Sequence, residues 1–274
     1  MSHNNQKKIA VINDFCGFGR CSITVSLPII SAMKIQCCPF PTAIFSNHTG
    51  YESFYRTDYT DHMNDYMEEW NKLDLHFDGI ISGYLASPNQ IEIVKKFFEK
   101  FKKENTVILI DPVMGDNGKL YPAYSLTLSE KMRNLIKYAD ILTPNLTEAC
   151  ILTDMAYNEN MGDEELLLIC NKLSAIGPQN IVISGLEREG CFINYVYESG
   201  KEPQIICEAK VGTSRAGTGD VFSSIIAADV VNGKSLIDAV SHASAFISKA
   251  LKHTVELNIP ETDGICFEEF LKEI

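Results

Sequence analysis

"SPNQIEIVKKFFEKFKKENTVILIDPVMGD", residues 87–116, contains one whole unit of the architecture. Ser87 is placed to cap a helix whose first residue is Pro88, a position that needs no backbone N–H. Ile91, Val94, Phe98 and Phe101 then recur at helical spacing, so one face is apolar. The basic run "EKFKKE" reads as the solvated side of that helix. "TVILI" (106–110) follows as an unbroken apolar run, expected of a strand covered on both faces. It ends in "DPVMGD", a turn carrying two acids.

The same rhythm extends in both directions. Apolar runs "KIAVIN" (8–13), "TAIF" (42–45), "GIIS" (79–82), "DILT" (140–143) and "NIVIS" (180–184) alternate with helical patterns. Such alternation predicts an α/β fold, a mostly parallel sheet with helices on both sides. After residue 185 the pattern changes. "GCFINYVYESGKEPQIICEAKV" predicts a hairpin on the sheet's edge, and two helices follow, near 219–231 and 235–252, the second capped by Ser235. With no low-complexity linker and no internal repeat, residues 1–274 are expected to form a single domain, with 1–7 as a tail.

Bulk composition removes several function classes. The chain has 274 residues, 45% of them hydrophobic, enough for a sizeable core. A net charge of -12 and a pI near 5.0 argue against a nucleic-acid or anionic-membrane partner. No window reaches the roughly 18 apolar residues of a membrane span. "MSHNNQKKIAVIND" has no apolar leader segment either, so a cytoplasmic protein is expected. Nine cysteines form no C-x-x-C pair, which predicts reduced, mostly buried thiols. Trp70, the lone tryptophan, receives no role.

Polar residues gather where the strands end: "NDFCGFGR", "SNHTGY", "SGYL", "DPVMGDNG" and "TPNLTE". In open parallel sheets ligands bind outside the carboxyl ends of the strands, so these segments predict one shared rim. Three glycine motifs compete for a phosphate there. "GFGRCS" (17–22) resembles a dinucleotide turn, but residues 30–46 lack the acid that such a fold places on the ribose. "ADVVNGKS" (228–235) fits a relaxed P-loop pattern, yet it lies at the end of a helical run. Gly233 reads better as a helix stop there, with Ser235 as the next start.

The third motif, "GTSRAGTGDVFSS" (212–224), sets a Gly-Thr-Gly turn before a helix. Such a turn offers free N–H groups and the positive end of the helix dipole. Asp220 on the first turn is either a capping acid or a base beside an anion pocket. Asp111, Asp116, Asn145 and Glu148 add oxygen groups past neighbouring strands, which suits Mg²⁺. Asn145 and Glu148 also have capping-box spacing, and the two roles are compatible.

"FSNHTGY", "SGY", "DPVMGD", "TPN..E" and "GTGD", in that order, resemble the pyridoxal kinase branch of the ribokinase superfamily. The resemblance runs from about residue 8 to 270, and "INDFCGFGRCS" is most similar to bacterial pyridoxamine kinases. It implies a three-layer α/β/α sandwich that transfers the γ-phosphoryl group of ATP to the 5′-hydroxymethyl group of a B6 vitamer. Carried over by motif, Asp220 matches the base, and Gly217, Thr218 and Gly219 the anion hole. Asp111 and Glu148 match the acids on the Mg²⁺ side, and Thr143 and Asn145 lie beside the nucleotide phosphates. Asp116 falls in a flap over ATP, and Ser184 where the nucleotide wall begins. Phe45, His48, Thr49 and Tyr84 match the pocket around the pyridine ring, although His48 also suits a purely loop-fixing role. The family brings with it a homodimer and leaves room for a monovalent cation such as K⁺.

One position departs from the family. Many pyridoxal kinases have a serine against the ring where this chain has Asp14. A carboxylate prefers a cationic amine or a protonated pyridine to a neutral aldehyde, so Asp14 is expected to favour pyridoxamine or pyridoxine. Hydroxymethylpyrimidine kinase of thiamine synthesis, a non-catalytic B6-binding protein and a nicotinamide oxidoreductase are the alternative readings, the last disfavoured by the missing ribose acid.

Overall fold

The computed structural model describes residues 5–121, 126–213 and 215–274. Most of the expected tail, residues 1–4, lies outside the described residues, while Lys7 Nζ donates to the Val231 carbonyl at 2.8 Å.

In chain order the elements begin with β1 (Lys8–Phe18), α1 (Ile23–Ala32), β2 (Gln36–Asn47), β3 (Arg56–Asp58), α2 (Thr60–Lys72), β4 (Gly79–Ser82) and α3 (Pro88–Phe101). β5 (Val107–Ile110), β6 (Gly115–Asp116), β7 (Lys119–Leu120), α4 (Leu126–Leu135), β8 (Ile141–Leu142), α5 (Leu146–Thr153) and α6 (Asp163–Ile176) follow. β9 (Asn180–Arg188), β10 (Cys191–Glu198), β11 (Gln204–Ala209), α7 (Thr218–Val231) and α8 (Leu236–Glu256) complete the set.

Nine strands form one sheet in the order β11-β10-β9-β8-β5-β4-β1-β2-β3. Its interior pairs, from β9 through to β2, are parallel, and antiparallel pairs close both edges. Because the middles of β1, β4, β5 and β8 are sandwiched, residues such as Ile9–Ile12, Ile80–Ile81, Ile108–Ile110 and Ile141–Leu142 are apolar and buried on both faces. One face packs on α2 to α6 around Phe40, Ile80, Phe97, Phe98, Ile108 and Leu142. The other packs on α1, α7 and α8 around Val11, Ile81, Leu109, Val221, Ile225 and Val240. This is the three-layer sandwich the sequence implied. Trp70 belongs to the first core, its ring 5.3 Å from those of Tyr66 and Phe77.

Local signals account for the helix ends. The Ser87 side chain accepts from Gln90 N with Pro88 in the first turn, and Ser235 accepts from Asp238 N. Gly233 stops α7 with φ +95°. All nine cysteines are free thiols, and five are buried. No helix among the described residues is long and apolar enough to cross a membrane.

Three strands are longer than their apolar runs, β2 among them at Gln36–Asn47. β1 continues to Phe18 because β2 does too, pairing Phe15 with Ile44 and Phe18 with Asn47. Asp14 therefore lies inside a strand, at a register slip between Asn13 and Phe15, instead of in the loop beyond it. β9 likewise runs on to Arg188 through its pairing with β10, which places Ser184 within it. A partner strand supplies the hydrogen bonds that polar residues cannot announce in sequence.

Candidate active site

α7 begins at a turn only glycine tolerates. Gly217 caps the helix with φ +78°, and a Cβ there would overlap the carbonyl oxygen of Arg20. Thr218 tightens the turn, its hydroxyl donating to Arg215 O at 2.9 Å. The apolar run after it is buried against the sheet, so the helix N-terminus faces the rim with its first N–H groups unclaimed by helical carbonyls. Asp220 stands on this first turn. Asn13 Nδ2 donates to its Oδ1 at 3.0 Å, and the backbone N–H of Ser22 to its Oδ2 at 2.7 Å.

Two further acids, Asp14 and Asp111, act on that carboxylate, and a third, Glu148, acts on Asp111. Asp111 follows β5, with Oδ2 only 3.6 Å from where a Cβ on Gly219 would lie. Burial and the negative charge of Asp220 push its pKa up to about 8. Glu148 is 3% exposed and completes a capping box with Asn145: Asn145 N donates to Oε2, and Glu148 N to Asn145 Oδ1, each at 2.9 Å. Its Oε1 accepts from Met114 N at 3.0 Å, yet burial and then Asp111 hold its pKa well above the ordinary range. Asp14, 7% exposed, accepts the Ser22 hydroxyl at 2.7 Å, and burial raises it to about 7 against the pull of that bond. Burial raises Asp220 as well, opposed by its two donors. None of the four joins an ion pair among the described residues. The site holds unneutralised acid, and a hard cation or a protonated ligand would relieve it.

Two of the expected nucleotide residues, Asp116 and Ser184, meet on the other side of the turn. Asp116, Ser184, Thr218 and Gly219 share a cavity of about 240 Å³ with Phe222 and Asn194. Asp116 sits in a short hairpin, β6 and β7, turned by Asn117 and Gly118, both at positive φ. Asn145 Nδ2 holds that flap by donating to Gly115 O at 2.8 Å. The Thr143 hydroxyl is buried and has no partner among the described residues.

Phe45 and Tyr84 come together as expected, ring centroids 6.0 Å apart, over the buried thiols of Cys16 and Cys21. Backbone groups hold the His48 ring. Its Nε2 donates to Thr262 O at 2.6 Å, and its Nδ1 accepts from Gly50 N at 3.1 Å. Both ring nitrogens are thus engaged in fixing the 48–51 loop. Thr49 beside it is exposed.

Two participants escaped the sequence reading. Asn13 and Ser22 hold Asp220, and both lie in "INDFCGFGRCS", whose resemblance gave neither a role. "GFGRCS", set aside as a dinucleotide turn, is the segment that delivers Ser22. The flap hairpin had a signal, the Asn-Gly pair in "DNGK".

Sheet order and layering define a ribokinase-like α/β fold, with a carboxylate on the first turn of α7 beside its glycine turn. The chain belongs to the phosphomethylpyrimidine kinase family, which matches residues 23–263. A Bacteroides thetaiotaomicron protein provisionally named a phosphomethylpyrimidine kinase superimposes with a TM-score of 0.97 at 39% identity, covering 100% of this chain and 95% of that one. A second crystal form of that protein, with pyridoxal, gives a TM-score of 0.91 at 37% identity over 98% and 95% of the two chains. The chain is 30% identical over 188 residues to pyridoxine kinase of Bacillus subtilis, 66% of each protein. It is also 27% identical over 243 residues to the chloroplastic thiamine biosynthetic bifunctional enzyme of Arabidopsis thaliana, 86% of this chain but 45% of that one. The chain thus spans between about half and two thirds of these two relatives' length.

Proposed function

We propose that this chain is an ATP-dependent kinase that phosphorylates the 5′-hydroxymethyl group of a B6 vitamer. The observation that carries the reading is the position of Asp220, a carboxylate on the first turn of α7 beside the Gly217–Gly219 turn. A base must stand there to take a proton from an alcohol that attacks a phosphoryl group held at the helix end. In this reading the vitamer ring lies against Phe45 and Tyr84, near Asp14, His48 and Thr49. The nucleotide lies along the cavity between Thr218, Ser184 and the Asp116 flap, with Thr143 and Asn145 beside its phosphates. The amides of residues 217–219 stabilise charge on the transferring group.

Asp111 and Glu148 fit a Mg²⁺ ion. They are hard oxygen donors, held above their ordinary pKa by burial and then by a neighbouring acid. Two carboxylates make no closed cage, which agrees with an ion that keeps waters and binds phosphate. When bound, it would offset charge on the β- and γ-phosphate oxygens. A monovalent cation and a homodimer rest on the family resemblance, and a cytoplasmic location on the sequence pattern.

The second reading is a hydroxymethylpyrimidine kinase, favoured by the matching family itself. A coupled ADP-release assay across pyridoxal, pyridoxine, pyridoxamine and hydroxymethylpyrimidine tests both. Turnover with vitamers at least tenfold above that with the pyrimidine is expected. The reverse order would replace the first reading, and no turnover with any of them would leave a binding protein.

A further inference from the structure

Asn13 is almost fully buried, 3% exposed, and its side chain can point only one way. Its Oδ1 accepts two backbone N–H groups, from Asp14 at 3.0 Å and from Tyr84 at 2.9 Å. Both are obligate donors, so the oxygen must face them and the NH₂ must face Asp220, which it meets at 3.0 Å. The amide lies flat across the end of β4. A Cβ on Gly83 would stand 2.6 Å from Nδ2, too close for any real contact. The glycine of "SGY" therefore has a steric reason: it makes room for Asn13. The other oxygen of Asp220 is held by Ser22 N, from a residue at φ 58° and ψ −140°, a conformation costly for a side-chain-bearing residue. A strained donor and a locked amide converge on one carboxylate.

We infer that Asn13 is a positioning residue for the reaction, locking the Asp220 carboxylate in an orientation that turns a free lone pair toward the incoming hydroxyl. Through its bond to Tyr84 N it also ties that orientation to the strand end bearing the ring pocket. Gly83 is the residue that permits the lock. The inference rests on Asp220 being the base, so its test must separate the two ideas.

The test is a double-mutant cycle read by steady-state kinetics with MgATP and pyridoxal. Asn13→Ala is expected to lower kcat on the order of 10- to 100-fold, the loss of a hydrogen bond to a charged group, while changing KM for ATP less than about threefold. In the Asp220→Ala background the same substitution should cost under about twofold, because its target is gone. Should Asn13→Ala fail to fold, Asn13→Ser keeps an oxygen for a neighbouring backbone N–H, adds no charge and loses the amide's reach to Asp220, and it carries the same comparison. Equal losses in both backgrounds, or no loss in wild type, overturn the role of Asn13. Near-normal turnover in Asp220→Ala alone overturns instead the assignment of the base.

Discussion

The backbone N–H of Ser22 reaches the Oδ2 of Asp220 at 2.7 Å, a contact between residues 198 positions apart. It joins the start of α1 to the start of α7, so the two helix N-termini converge on one carboxylate. With Asn13 on the other oxygen, Asp220 has little rotational freedom before any substrate arrives. Preorganisation of this kind reduces what binding must spend on orientation.

Removing that carboxylate should therefore be severe for turnover and mild for the fold. Asp220→Ala is expected to lower kcat by about 10²–10⁴, the usual contribution of a general base. KM for ATP should change little. Steady-state kinetics with pyridoxal checks this, and the far-UV spectrum should be unaltered.

Two glycines of one turn should behave differently. At Gly217 a methyl group meets the Arg20 carbonyl at a positive φ, so Gly217→Ala is expected to destabilise by roughly 2–5 kcal/mol. At Gly219 the nearest atom to a new Cβ is Asp111 Oδ2 at 3.6 Å, an ordinary contact. Gly219→Ala should leave urea stability within about 1 kcal/mol yet crowd the approach of a phosphoryl group. A tenfold or greater fall in kcat/KM for ATP, on the order of a lost charge-assisted contact, is expected.

Asp14 makes stability fall as pH rises. In the unfolded chain it titrates near 3.8, and in the folded chain near 7 because it is buried. Between those values the folded state binds the extra proton, so the carboxyl weakens the fold progressively from about pH 4 and fully above about pH 7. Asp14→Asn removes the effect. Urea unfolding of the ligand-free chain should show a gain of roughly 1–4 kcal/mol at pH 8 and little at pH 4.5.

The same residue should bias substrate choice. A cationic amine or pyridinium next to Asp14 would restore its charge, whereas an aldehyde would not. Asp14→Ser is expected to lower the pyridoxamine-to-pyridoxal ratio of kcat/KM about tenfold, the worth of one charge-assisted hydrogen bond. An unchanged ratio would mean that Asp14 does not read the substituent.

Much of the fold was legible because its causes are local. Ile91, Val94, Phe98 and Phe101 announce a helical face by spacing alone, and "TVILI" a doubly covered strand. Ser87, Ser235 and the Asn145–Glu148 pair cap helices through atoms three residues apart. Strand ends were less legible, since β1 and β9 are prolonged by partners distant in the chain.

The sequence by itself determined the alternation of elements, the rim that collects the polar ends, and the turn that opens α7, because periodicity, capping and glycine conformation act within a few residues. Only the tertiary structure decided that Asn13 and Ser22 grip Asp220, that Gly83 clears space for the amide, and that His48 spends both ring nitrogens on its loop. Those relations arise when β1, β4 and α7 pack side by side. Contacts across some 200 residues depend on the register and depth of that packing, which no local pattern encodes.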